Sequence, residues 1–379
     1  MTKFLPYCIL LFLLHSISYA QISIGFTRGR ILGQEQKSDF TQEELKEIKS
    51  NTLVFFYRKQ DESTLPELEK ALKSVWTVSP LILVPFSKAE SYLNQPNYAY
   101  VSMSTYIRKN NSPDNTRREE WYMVLDFWLN KPQEEIPRKS FAWAYLSTGS
   151  GIPAGSIIGT FHSPGFGSYA HKAGYYYPKG YFGGTAMIDL TYKIKANPLL
   201  IKEKKIPITN QHYDDIYTNA VSLTWNIPDL RAYFAVVNDH LLRGSGRTFT
   251  QEDNDLYELP KLKNSTLVIP EYAFLKIGKP TKDGIDYVEV SEEEKEKTLS
   301  AYPYPYKIMN EEKLTEAIMD QSKTTYYLIH IINEFKTVAI VNSKTGKIIY
   351  TKPRVIISGE HLREKDMVLL KETIDGERK

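Results

Sequence analysis

Twice along this chain a short apolar run with polar borders leads into a capped helix, a second apolar run, a further capped helix and then more strands. That order constrains the fold strongly. Strands joined through helices pair in parallel, and such crossovers are almost always right-handed.

The first occurrence begins at Thr41-Gln-Glu-Glu44, a capping box that predicts a short helix ending near Ser50. Thr52 to Tyr57 reads as a strand. Thr64 to Glu67 has the form of a second capping box, ahead of a helix with Leu65, Leu68, Ala71, Leu72 and Val75 on one face. Pro80 to Phe86 is a continuous apolar run and predicts a strand buried on both faces. Ser87 to Glu90 repeats the capping pattern and predicts a short helix to Asn94. Tyr98 to Ile107 alternates with period two, and Glu120–Leu129 and Ser140–Ser147 complete a set of strands.

The second occurrence starts at Asn264 to Pro270, which matches the run from Asn51 in character. Ser291-Glu-Glu-Glu294 has the form of a capping box opening a helix, Tyr304 to Met309 is a strand, and Asn310 caps a helix bearing Leu314, Ala317 and Ile318. Thr324 to Ile332 is a strand, and Thr337–Val341 with Lys347–Tyr350 forms a hairpin turning at Gly346. Leu362, Met367, Leu370 and Ile374 mark a closing helix.

The expected class is α/β (α+β): two similar β-α-β-α-β-β-β sandwich modules, at 41–147 and 251–379. Between them, 148–250 is expected to hold a Gly/Tyr-rich loop and a helical connector. In the connector Pro228 opens and Gly244 ends a helical pattern. Residues 21–40 read as an extended leader.

Residues 1–20 have the form of a cleavable signal peptide. Lys3 precedes the apolar run Phe4–Leu14, and Ser18 and Ala20 are small residues at the exit. The expected product is exported, periplasmic or secreted, and begins at Gln21. The one cysteine, Cys8, lies inside that leader. A mature chain without thiols excludes thiol catalysis, thiolate metal sites and iron–sulfur clusters. No later stretch has the length and apolarity of a spanning helix. The net charge of +3 argues against a dedicated nucleic-acid surface.

The layout Thr52–Phe56, the helix Leu65–Trp76, the strand Leu81–Phe86 and Tyr98–Ser102 resembles the periplasmic α/β modules of the TolB N-terminal domain and the curli-secretion protein CsgG. The segments Ala71–Pro80 and Val341–Tyr350 also resemble exported proteins of the Bacteroidota. These resemblances imply an envelope protein that works through binding. They bring no functional residues.

Few chemistries have the residues they need. No Gly-x-Ser-x-Gly elbow is present, and Gly165-Phe-Gly167 lacks the third glycine of a dinucleotide loop, so no nucleotide and no cofactor is expected. No His-x-x-x-His pair occurs. His162 and His171 flank a Gly-rich loop and are weak metal candidates, set against ordinary loop histidines. Asp214-Asp215 and Glu119-Glu120 are adjacent acids of the kind that cap or solvate element ends. His330, in an apolar strand, reads as a hydrogen-bonded core residue, and Trp76 as core.

The candidate binding residues are Tyr175, Tyr176, Tyr177, Tyr181 and Phe182, set among glycines. Such tyrosines suit a protein partner or a glycan, or fill a groove between the modules. The leading expectation is a non-enzymatic envelope component that binds proteins. The alternative is an extracytoplasmic hydrolase or glycan binder using the Gly/Tyr-rich loop.

Overall fold

The computed structural model describes residues 27–31, 34–37, 39–92, 95, 97–111, 117–129, 181–183, 187–189, 225–247, 253–281, 284–320, 322–332, 335–355 and 361–377. Residues 1–20, the strand expected at 140–147, His162, His171, Tyr175–Tyr177 and the acids Asp214-Asp215 lie outside these residues.

Strands β1 (Thr27–Ile31) and β2 (Gln34–Lys37) pair antiparallel, so the leader carries a hairpin where a plain extended segment was expected. Helix α1 (Gln42–Ser50) opens with the predicted capping box. The Thr41 hydroxyl accepts from Glu44 N at 3.2 Å, and the Glu44 carboxylate accepts from Thr41 N at 2.8 Å. Strand β3 (Thr52–Tyr57) follows, then a 3-10 turn at Lys59–Thr64 and helix α2 (Leu65–Lys73).

The capping box expected at Thr64 does not form. The 3-10 turn runs straight into α2, and the Thr64 hydroxyl donates back to Asp61 O at 3.4 Å. Strand β4 (Leu81–Pro85) is half-buried at Ile82 and Leu83, and not covered on both faces. The reason is position: β4 is the sheet's edge. Ser87 caps nothing, because the next 3-10 turn (Phe86–Ser91) already starts after Pro85.

The first sheet is completed by β5 (Tyr98–Asn111), β6 (Arg117–Leu129), β7 (Tyr181–Gly183) and β8 (Met187–Asp189). Its order is β4-β3-β5-β6-β7, with β8 also on β6. β3 is parallel to β4 and β5, and the later strands are antiparallel. Central placement explains β3, in which Leu53 to Tyr57 are all buried.

Helix α3 (Ile227–Arg243) is buried along most of its circumference, which marks a helix enclosed by protein. Asn226 caps its start by accepting from Asp229 N at 2.9 Å, and Gly244 ends it at φ 69°. Phe234 of α3 is the centre of an aromatic cluster. It meets Phe55, Trp76 and Phe127 edge-on, with centroids 5.6, 5.7 and 5.3 Å away.

The second sheet comes from β9 (Leu267–Pro270), β12 (Tyr306–Met309), β13 (Tyr326–Ile332), β14 (Phe335–Asn342) and β15 (Ile348–Val355), in the order β12-β9-β13-β14-β15. β9 is parallel to β12 and β13, and the last two strands are antiparallel. Numbered from its own first strand, each sheet therefore runs 2-1-3-4-5. The second sheet differs in its first crossover, which carries the extra hairpin β10 (Leu275–Thr281) and β11 (Gly284–Glu289) before α4 (Glu292–Ser300). Helices α5 (Glu311–Met319) and α6 (Glu364–Asp375) stand where the capping and closing patterns placed them.

Period two along β13 divides two cores. Tyr327, Ile329 and Ile331 face α3 and the first module. Tyr326 and Leu328 face α6 and the 3-10 turn Leu259–Asn264. One apolar core thus joins both sheets through α3, and a second lies on the far face of sheet two.

Candidate binding surface

A sequence of acids and apolar residues, Asp253-Asn-Asp-Leu-Tyr-Glu-Leu259, enters the second module. Asp255 folds it into a tight turn. Its Oδ1 accepts from Tyr257 N and Glu258 N, both at 3.0 Å, which is the Asp habit of imitating a backbone turn. Asp255 N donates to Ile349 O at 2.8 Å, and Lys347 Nζ donates to Asp255 Oδ2 at 2.6 Å. Lys347 is the main reason the Asp255 carboxyl sits below the usual carboxylate range. Glu258 fixes the other side: it accepts from Tyr326 Oη at 2.8 Å and Asn342 Nδ2 at 3.1 Å, and pairs with Lys261. Leu259 and Leu262 then plug into the outer core.

The turn leaves Leu256 and Tyr257 outside, at 70% and 90% exposure. A single exposed apolar residue is ordinary; here an adjacent pair is held out by anchored backbone, which makes it the candidate contact point. Asp255→Ala removes the acceptor for two backbone N–H groups and a lysine. It is expected to destabilise the fold by about 1–2 kcal/mol in urea unfolding, with the larger effect on the exposed pair's rigidity.

Among the described residues, charged and polar side chains tie the interior together at several points. Arg58 grips Asp61 through Nη2 at 2.7 Å and Nε at 3.1 Å, stacks 4.9 Å from the Trp225 ring centre, and Trp225 Nε1 donates to the same carboxylate at 3.2 Å. Asp229, fully buried on α3, accepts from Tyr272 Oη at 3.1 Å and Asn226 Nδ2 at 2.9 Å. Burial holds its pKa well above the usual carboxylate range. In the second module Lys336 pairs with Asp366 and donates to His361 O at 2.7 Å, while His361 Nε2 meets Glu294 Oε1 at 2.7 Å. These groups tie elements together; all but Glu294, whose side chain is 38% exposed, are buried or nearly so.

Among the described residues no group of three or more His, Cys, Asp or Glu could hold a metal ion. A small cavity bounded by Tyr233, Arg247, Ile329, Ile331, Ala339, Ile348 and Thr351 has room on the scale of one water. Among the described residues no helix is long and apolar enough to cross a membrane.

Of the residues singled out from sequence, Tyr181 and Phe182 lie in β7, where Tyr181 is paired with Trp128; they belong to a strand and not to a loop. His330 is buried in β13, but its Nε2 has no hydrogen-bond partner, which departs from the bonded core residue expected. Trp76 is core, as expected. Leu256 and Tyr257 escaped the sequence reading. The only signal was two apolar residues between Asp255 and Glu258, a pattern equally compatible with a buried turn.

Comparison with protein-family models, with curated proteins and with solved structures finds no match for this chain.

Proposed function

We propose that this chain is an exported, non-enzymatic component of the cell envelope that binds other proteins, with Leu256 and Tyr257 as its contact point. The observation that carries the reading is the exposure of this pair on a turn anchored at both ends. Preordered apolar side chains, tyrosine above all, bind at little entropic cost. The form of residues 1–20 supports export. The identical 2-1-3-4-5 order of the two sheets supports descent of both modules from one unit.

The test replaces Tyr257 by a photoreactive phenylalanine analogue in cells that make the protein. Crosslinking to a defined protein is expected, and the double variant Leu256→Ser/Tyr257→Ser should lose at least about tenfold in recovery of that protein by affinity capture. Recovery of uncrosslinked monomer alone would sink the proposal.

A further inference from the structure

The charges around Leu256 and Tyr257 are sorted by sign. Between Asp253 and Thr266 every acid turns inward. Asp253 pairs with Arg247 and accepts from Thr351 Oγ1 at 3.2 Å; Asp255 and Glu258 hold the turn as described. The lysines in the same stretch, Lys261 and Lys263, are exposed, as are Lys344 and Lys347 on the adjoining β14–β15 turn. The ion pairs themselves are lopsided. Lys261 is 56% exposed against 23% for Glu258, and Lys347 is 53% exposed against 15% for Asp255. An approaching surface therefore meets ammonium groups, with their carboxylates behind them.

We infer that the partner of this surface is a protein bearing an apolar pocket rimmed by Asp and Glu, which takes Leu256 and Tyr257 while its acids face Lys261, Lys344 and Lys347. This rests on the protein-binding reading above and adds the partner's chemistry. Charge complementarity of this kind speeds encounter and selects partners, and rim charges are screened by salt. An anionic lipid surface would also meet lysines and tyrosine, so the experiment separates the two.

The protein crosslinked through position 257 is titrated against the full mature chain at 50 and 300 mM NaCl. Affinity should fall about tenfold across that range. In the variant Lys344→Glu/Lys261→Gln it should fall about tenfold at low salt and lose most of its salt dependence. Unchanged thermal unfolding of the variant shows that the turn survives; if it does not, the salt series on the unsubstituted chain decides alone. The mature chain is also sedimented with phosphatidylglycerol and with phosphatidylcholine vesicles. Salt-insensitive capture unaffected by the lysine changes overturns the acidic rim and leaves the binding reading intact. Absence of any crosslinked protein, with co-sedimentation on phosphatidylglycerol that Leu256→Ser/Tyr257→Ser abolishes, overturns both in favour of lipid.

Discussion

Gly346→Ala is expected to destabilise the protein by about 2–4 kcal/mol, although it adds a single methyl group. Gly346 stands at φ 70° in the turn joining β14 to β15, a region L side chains avoid. An added Cβ there would lie 2.6 Å from the Ala235 Cβ of α3 and 3.1 Å from Val75 Cγ1. The β14–β15 turn is thus seated against α3 and the turn that follows α2, and the methyl would press on the Ala235 Cβ, which no rotamer change can move. Two other glycines calibrate the effect. Gly376 has φ 73° with nothing within 4 Å of an added Cβ, so Gly376→Ala should cost only the backbone strain, about 1 kcal/mol. Gly244, at φ 69° with Leu45 Cδ1 at 3.1 Å, should fall between them. Adding Ala235→Gly to Gly346→Ala should recover the steric part but not the strain. Urea unfolding of the four variants gives the comparison. Equal losses at Gly346 and Gly376 would refute the seated-turn account.

Acid should weaken the fold steeply between pH 6.5 and 5. Three histidines, His240, His330 and His361, have pKa values lowered from the ordinary imidazole range, in each case chiefly by burial. His330 is lowered furthest, with Lys336 and His361 adding repulsion. Glu294 opposes the shift at His361, and Arg363 and Lys336 reinforce it. Arg243 and Arg247 do the same at His240. In the unfolded chain these rings take up protons below about pH 6.5, whereas the fold resists. Stability is therefore full above that pH and falls as pH drops, levelling off below each folded pKa. Each proton is worth about 1.4 kcal/mol per pH unit.

Asp229 runs the other way. Its raised pKa keeps a proton that the unfolded chain releases above about pH 4, so acidification stabilises the fold through this group. Glu311, also raised chiefly by burial, acts in the same sense as Asp229, so the net slope is smaller than the histidines alone would give. His330→Leu should flatten the profile by about 1.4 kcal/mol per pH unit while removing an unpartnered Nε2. A flat urea midpoint from pH 7 to 5 would rule this out.

These effects show how differently the parts of the molecule were written into the sequence. Helix starts at Thr41, Ser291 and Asn310 were legible because an N-cap is a local device: one side chain bonded to a backbone three residues on. Thr64 and Ser87 carry the same letters and cap nothing, because a preceding 3-10 turn and a strand end had already fixed the backbone. β3 and β4 read alike as apolar runs, yet one is central and the other is an edge, a distinction made by strand pairing far along the chain.

The sequence alone thus determined the α/β class, the order of the strands and helices, and the helix starts at Thr41, Ser291 and Asn310. Only the tertiary structure decided what those elements enclose. It set α3 between the sheets, seated Gly346 on Ala235, left the buried His330 Nε2 without a hydrogen-bond partner and held Leu256 and Tyr257 in the open. Local patterns fix backbone conformation through neighbours a few residues away. Exposure and charge sorting depend on contacts such as Asp255 with Lys347 and Glu258 with Tyr326, between residues brought together only by the complete fold.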